Sequence, residues 1–135
     1  MDFGTINYFA VLVAALSTFI LGGLWYSPLL FGKAWMRTNN FTDEDLKAFS
    51  KARMFGWSLV FSIVMALNLA MFLAGPTTNV SWGMTAGVLA GLGWVAMAIA
   101  IIGVFENRSW TYILINGGYM TIAFTVMGAI IGAWR

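Results

Sequence analysis

An all-α integral membrane fold, a four-helix transmembrane bundle with a short interfacial helix between spans one and two, is what this sequence predicts, and three observations predict it. The chain of 135 residues is 61% hydrophobic and only 9% charged, against roughly 25% charged in an average soluble domain. A globule of this size buries only about two-thirds of its chain surface, so the apolar excess must face lipid. Apolar runs at 5–26, 54–74, 82–105 and 110–134 each reach the roughly 20 residues a helix needs to cross hydrocarbon. These runs are continuous rather than alternating, which selects helices over a closed barrel as the means of satisfying backbone groups in lipid. No repeat with a period of about 20 to 50 residues divides the chain, and it reads as one domain.

The first run begins MDFGTINYFAVLV. Asp2 and the lack of any Lys or Arg there differ from the basic start of a secretory signal, so a retained span is expected. It ends in LWYSPLLFGKAWMR. Here Ser27 is expected to cap, and Pro28 to open, a new short helix. Its Leu29, Leu30, Phe31, Ala34, Trp35 and Met36 would enter the interface while Lys33 and Arg37 stay with the headgroups. Thr42 is expected to cap a second helix, whose first turn holds Asp43, Glu44 and Asp45. There their charge complements the helix dipole, a plainer role than metal binding. That helix is expected to run through Lys51 into the second span. The next connection, 75–81, has Gly-Pro punctuation and contains Asn79-Val80-Ser81, a glycosylation sequon relevant only in a eukaryotic secretory pathway. This short connection and the 106–109 turn predict that spans two and three, and spans three and four, are antiparallel neighbours.

Orientation follows from charge. Lys33, Arg37, Lys47, Lys51, Arg53 and Arg108 fall in the first and third connections, and Arg135 falls at the other face. By the positive-inside rule this predicts a multi-pass inner-membrane protein with both termini outside the cytoplasm. Tyr8, Trp82 and Trp134 would mark the outer headgroups, and Trp25, Tyr26, Trp57, Trp110 and Tyr112 the inner ones. Trp94 falls near mid-membrane, where its indole N–H needs an acceptor; Ser62 and Thr121 lie at a similar depth.

The sequence contains no histidine and no cysteine, which removes disulfides, imidazole and thiolate metal sites, and the usual nucleophile and base pairs. Seven basic residues against five acidic ones give a net charge of +2, too little and too scattered for nucleic-acid binding. No catalytic, cofactor or metal site is expected, and the chain reads as non-enzymatic. The spans also lack the intramembrane ionisable residue that proton-coupled carriers use.

Gly83, Gly87 and Gly91 share one face of the third helix, and Gly128 with Gly132 repeats the device on the fourth. Small residues let helix backbones approach closely. Packing within the bundle is the plainer explanation, and a seam between copies is the alternative. Asn68 and Asn116 are the most polar side chains well inside the spans, and each must find a partner. At 1.5 Å per residue they lie roughly 14 Å apart in depth, so they cannot pair in one protomer. They read as interhelical contacts or, with Trp94 and Thr121, as the polar lining of a path. Asn116-Gly117-Gly118-Tyr119 also predicts a local helix distortion. Lys33, Trp35, Arg37 and Arg53 are candidate contacts for anionic membrane lipid, at about 1 kcal/mol per basic residue.

The run LWYSPLLFGKAWM, with Asn7 and Tyr8 before it and the Glu106-Asn107-Arg108 turn after it, resembles a bacterial membrane family known as domain of unknown function 1761. The resemblance covers nearly the whole chain. It implies a small, single-domain, multi-span protein and brings no reaction, substrate or catalytic residue. Three roles remain open: a non-enzymatic packing or accessory subunit that self-associates or joins a larger membrane complex, a small channel formed between protomers, and an inner-leaflet lipid-binding protein.

Overall fold

The computed structural model describes residues 3–135; Asp2, on which the reading of the N-terminus partly rests, lies outside the described residues. A 3-10 turn at Phe3–Thr5 leads into α1 (Tyr8–Trp25), α2 (Gly32–Asn39), α3 (Asp43–Ala48) and α4 (Lys51–Phe72). Then come α5 (Val80–Ala90), a π-helical turn (Gly91–Ala96), α6 (Met97–Phe105) and α7 (Trp110–Ala133). The segment from Val80 to Phe105 is one continuous helix, so four helices are long and apolar enough to cross a membrane. All are close to the predicted runs.

Each of these four helices starts at a polar side chain that satisfies N–H groups left unpaired by the first turn. Asn7 Oδ1 accepts from the Phe9 and Ala10 amides at 3.1 and 3.2 Å. The Ser50 hydroxyl accepts from the Arg53 amide at 3.3 Å. Asn79 Oδ1 accepts from the Trp82 amide at 2.9 Å, and the Ser109 hydroxyl from the Tyr112 amide at 3.2 Å.

Packing centres on α7. On one side α5 lies against it through glycine: a Cβ on Gly83 would be driven into the Gly128 carbonyl, one on Gly87 into the Phe124 carbonyl, and one on Gly132 into the Asn79 carbonyl. At Gly91 an added Cβ would stand 2.9 Å from both the Met120 carbonyl oxygen and the Thr121 Cα. The glycine faces are thus occupied within the chain, backbone against backbone. On the other side of α7 lies α1, and α4 packs on α1. Ala14, Ala15, Ala66, Leu69, Phe124 and Met127 fill the space where α1, α4 and α7 meet. In contrast to the expectation from the short 75–81 connection, α4 and α5 make at most marginal backbone contact. An open groove separates them.

Three local expectations are corrected. The Ser27 hydroxyl donates back to the Leu24 carbonyl at 2.6 Å instead of capping a new helix. The Phe31 amide bonds the Trp25 carbonyl at 3.0 Å and the Gly32 amide the Ser27 carbonyl at 2.8 Å. Residues 26–31 therefore wrap as turns, and α2 begins only at Gly32, where a Cβ would lie 2.5 Å from the Tyr26 carbonyl oxygen. The helix capped by Thr42 has the expected start, with a reciprocal Thr42–Asp45 capping box, but it stops at Ala48. Phe49 and Ser50 are extended, with ψ of 138° and 109°, because Ser50 is the cap of α4. The distortion expected at Asn116-Gly117-Gly118 is absent from α7, which is unbroken there; the irregular turn lies across from it at Gly91–Ala96.

The glycine contact predicts a contrast between two substitutions. Gly87→Ala forces a methyl into the α7 backbone and should destabilise by about 1–3 kcal/mol or more. Gly23→Ala meets open space and should be neutral or stabilising by about 0.5–1 kcal/mol. Thermal unfolding in mild detergent measures both, and equal melting of the two variants would contradict the packing scheme.

Candidate functional site

The six basic residues of the first and third connections gather at one end of the bundle, called here the basic end. Its polar and aromatic side chains form a joint between α1 and α7. The Tyr26 hydroxyl donates to Asn116 Oδ1 at 2.7 Å, and the Trp25 indole N–H donates to the Ile115 carbonyl at 2.9 Å. Deeper in, the Tyr119 hydroxyl donates to the Thr18 carbonyl at 2.9 Å. The paired glycines of α7 serve this joint. Gly118 gives room to the Trp25 ring, whose Cζ2 stands 3.2 Å from where a Cβ would sit, and Gly117 faces Ala96 of the π turn at 3.2 Å.

A chain of edge-to-face rings extends the joint outward. Tyr26 meets Tyr119 at 5.3 Å and Trp35 at 5.5 Å. Trp35 then meets Phe41 at 5.3 Å, and Phe41 meets Phe49 at 5.3 Å. Such contacts add about 0.5–1.5 kcal/mol each beyond burial. Trp35 is therefore half-buried among rings that tie α2 to the bundle, whereas Lys33, Arg37 and Arg53 are exposed.

The groove between α4 and α5 forms a second feature, with a volume of about 630 Å³ and walls that include Asn68, Phe72, Trp82, Leu89 and Trp94, with Phe124 of α7. Asn68 is exposed, and its amide donates to the Val64 carbonyl of its own helix at 2.9 Å. Trp94, 66% exposed, sets its ring edge-to-face against Phe72 at 6.1 Å. Neither residue expected to accept from Trp94 does so. Ser62 accepts from the Thr18 hydroxyl at 2.9 Å, and the Thr121 hydroxyl donates to the Gly117 carbonyl at 2.8 Å. Asn68 and Trp94 thus share the groove, while Asn116 and Thr121 do not border it.

A third feature was invisible in the sequence. At the basic end, a polar concavity of about 640 Å³ opens between the end of α2 and the 106–109 turn, with Arg37 and Arg108 on its walls. The nearest sequence signal is that both segments leave a helix through an Asn in the left-handed conformation, Asn40 and Asn107, each with φ of 56°.

A family model described as "Protein of unknown function (DUF1761)" matches residues 9–132. The chain belongs to this family. The matched stretch takes in the aromatic joint, the groove and the basic-end concavity, so all three are features of the DUF1761 portion of the chain. No curated protein and no solved structure gives a match.

The joint yields a prediction about the DUF1761 bundle itself. Tyr26→Phe removes the donor to Asn116 and should cost about 0.6–1.7 kcal/mol, read as a lowered unfolding midpoint. Because Asn116→Leu removes the other half of the same bond, the double variant should cost less than the sum of the singles. Strict additivity would contradict a shared hydrogen bond.

Proposed function

We propose that this DUF1761 protein is a non-catalytic membrane subunit that associates with a second copy of itself through the groove between α4 and α5. One observation carries the reading. Among the described residues, Asn68 faces the groove with only one of its amide hydrogens engaged, on the Val64 carbonyl. Its other N–H and its Oδ1 would be left in hydrocarbon, where an unsatisfied polar group costs several kcal/mol. An amide is self-complementary, donor and acceptor together, so two copies related by a two-fold axis can each satisfy the other. Trp94, with its indole N–H, and Phe72 supply aromatic surface beside it.

A pore between copies is the weaker alternative. It would need the polar residues to share a path, and Asn116 and Thr121 are committed to bonds away from the groove. The sequence also supports a role without catalysis, since it provides neither histidine nor cysteine. For the membrane itself, we take the basic end as cytoplasmic and the cell inner membrane as the location, on the strength of the positive-inside rule.

Two experiments test these readings. Energy transfer between labelled full-length chains diluted into lipid should show dimers, with association weakened about 3- to 20-fold by Asn68→Leu and unchanged by Asn116→Leu. Chains that stay monomeric in crowded bilayers, or an Asn68→Leu variant that associates like wild type, would refute the groove dimer. For orientation, a cysteine introduced at Thr77 should react with an impermeant thiol reagent added outside intact cells, and one at Thr38 should not. The reverse labelling pattern would invert the topology.

A further inference from the structure

We propose that the concavity at the basic end is a binding site for a phosphate-class anion, with Arg37 and Arg108 as its clamps. The site is built from segments far apart in sequence. Arg37, Thr38 and Asn40 form one wall, and Glu106, Arg108 and Thr111 the other, around a space of about 640 Å³. Arg108 is held in place rather than left to wander: its Nε meets Glu106 Oε2 at 3.5 Å and its Nη1 donates to Asn39 Oδ1 at 3.4 Å. Its guanidinium lies over the Tyr112 ring at 4.7 Å.

The local charges are unbalanced. Glu106 is the acidic lining residue and is already matched to Arg108. Among the described residues, Arg37 has no carboxylate partner and its guanidinium makes no hydrogen bond. A guanidinium presents its N–H groups in a planar fork that fits phosphate oxygens in pairs. Phosphate has enough oxygens to engage guanidiniums from both walls at once, and the Asn40 amide and Thr111 hydroxyl offer neutral donors beside them.

Depth adds to the case. Phe105 and Trp110 flank the turn and are 88% and 70% exposed, an apolar edge suited to lipid. The concavity therefore opens at the level where lipid phosphates lie, while its polar mouth also admits free phosphate compounds. Lys33, Lys47, Lys51 and Arg53, exposed on the same end, raise the local anion concentration without lining the site.

Native mass spectrometry of the full chain, loaded with phosphatidylglycerol or phosphatidylcholine, tests the lipid source, and the melting temperature with and without inorganic phosphate tests the free one. The expected result is preferential retention of phosphatidylglycerol, reduced about fivefold by Arg37→Gln and by Arg108→Gln, with Lys47→Gln unchanged. A phosphate-dependent rise in melting temperature that is lost in the same arginine variants, without lipid preference, would keep the site and assign it to free phosphate. Because Arg108 also bonds Asn39 and Glu106, Arg37→Gln is the decisive variant: among the described residues it breaks no hydrogen bond or ion pair. Retention and melting that are unaffected by Arg37→Gln, or equally reduced by Lys47→Gln, would overturn the proposal.

Discussion

The contact of α5 with α7 through bare backbone is the constraint on which the rest of the arrangement depends. In lipid, one apolar helix gains little by leaving hydrocarbon for the side of another, so association relies on close van der Waals fit and on interhelical hydrogen bonds. Gly83, Gly87, Gly91, Gly128 and Gly132 supply that fit by having no Cβ to hold the carbonyls apart. Once that side of α7 is taken, α1 must use another, and α4, which packs on α1, is carried away from α5. The groove with Asn68 and Trp94 follows from where the glycines are.

Both ends of the bundle are then fastened by polar groups. At the basic end Trp25 and Tyr26 reach across to Ile115 and Asn116 of α7. At the other end the Asn7 amide donates to the Trp134 carbonyl at 3.3 Å, and the Phe9 and Trp134 rings meet at 5.4 Å. The Arg135 guanidinium bonds the Gly75 and Thr78 carbonyls, which ties the connection between α4 and α5 to the end of α7. That tie lets a short connection join helices that barely touch.

The spans were legible because length and apolarity alone define them, and the glycine faces because their spacing matches the helix period. The pairing of spans three and four was readable from the 106–109 turn, but the residue-by-residue match of the two glycine faces was not. Short connections made spans two and three, and spans three and four, look like neighbours; only the second pair packs closely, where the glycine fit brings the two backbones together. The need of Asn116 for a partner was readable, but Tyr26 looked like a headgroup marker, and only the fold brings its hydroxyl to the amide. Ser27 shows how local chemistry can be read correctly in kind and wrongly in place, and Ser50 is a cap that the sequence reading passed over. Each bonds the backbone as such residues do, Ser27 turning back to Leu24 and Ser50 interrupting the helix expected to run from Asp43 into the second span. The Arg37 and Arg108 concavity required two distant segments to meet and left no local pattern beyond its charges and the asparagines at the two helix exits, Asn40 and Asn107.

Neighbour relations among the spans can be read directly, because the natural sequence has no cysteine to interfere. The measurement is oxidative cross-linking in bilayers of two engineered pairs, Ala96→Cys with Gly117→Cys and Val64→Cys with Leu89→Cys. The first pair joins the third span to α7, where a Cβ on Gly117 would stand 3.2 Å from the Ala96 Cβ, a few tenths of an ångström inside the roughly 3.5–4.5 Å of a disulfide. The second spans the groove at matched depth. A disulfide within one chain for the first pair and none for the second is the predicted result. An intrachain disulfide at Val64 and Leu89 without one at Ala96 and Gly117 would mean that α5 packs on α4 and that the glycine contact does not organise the fold.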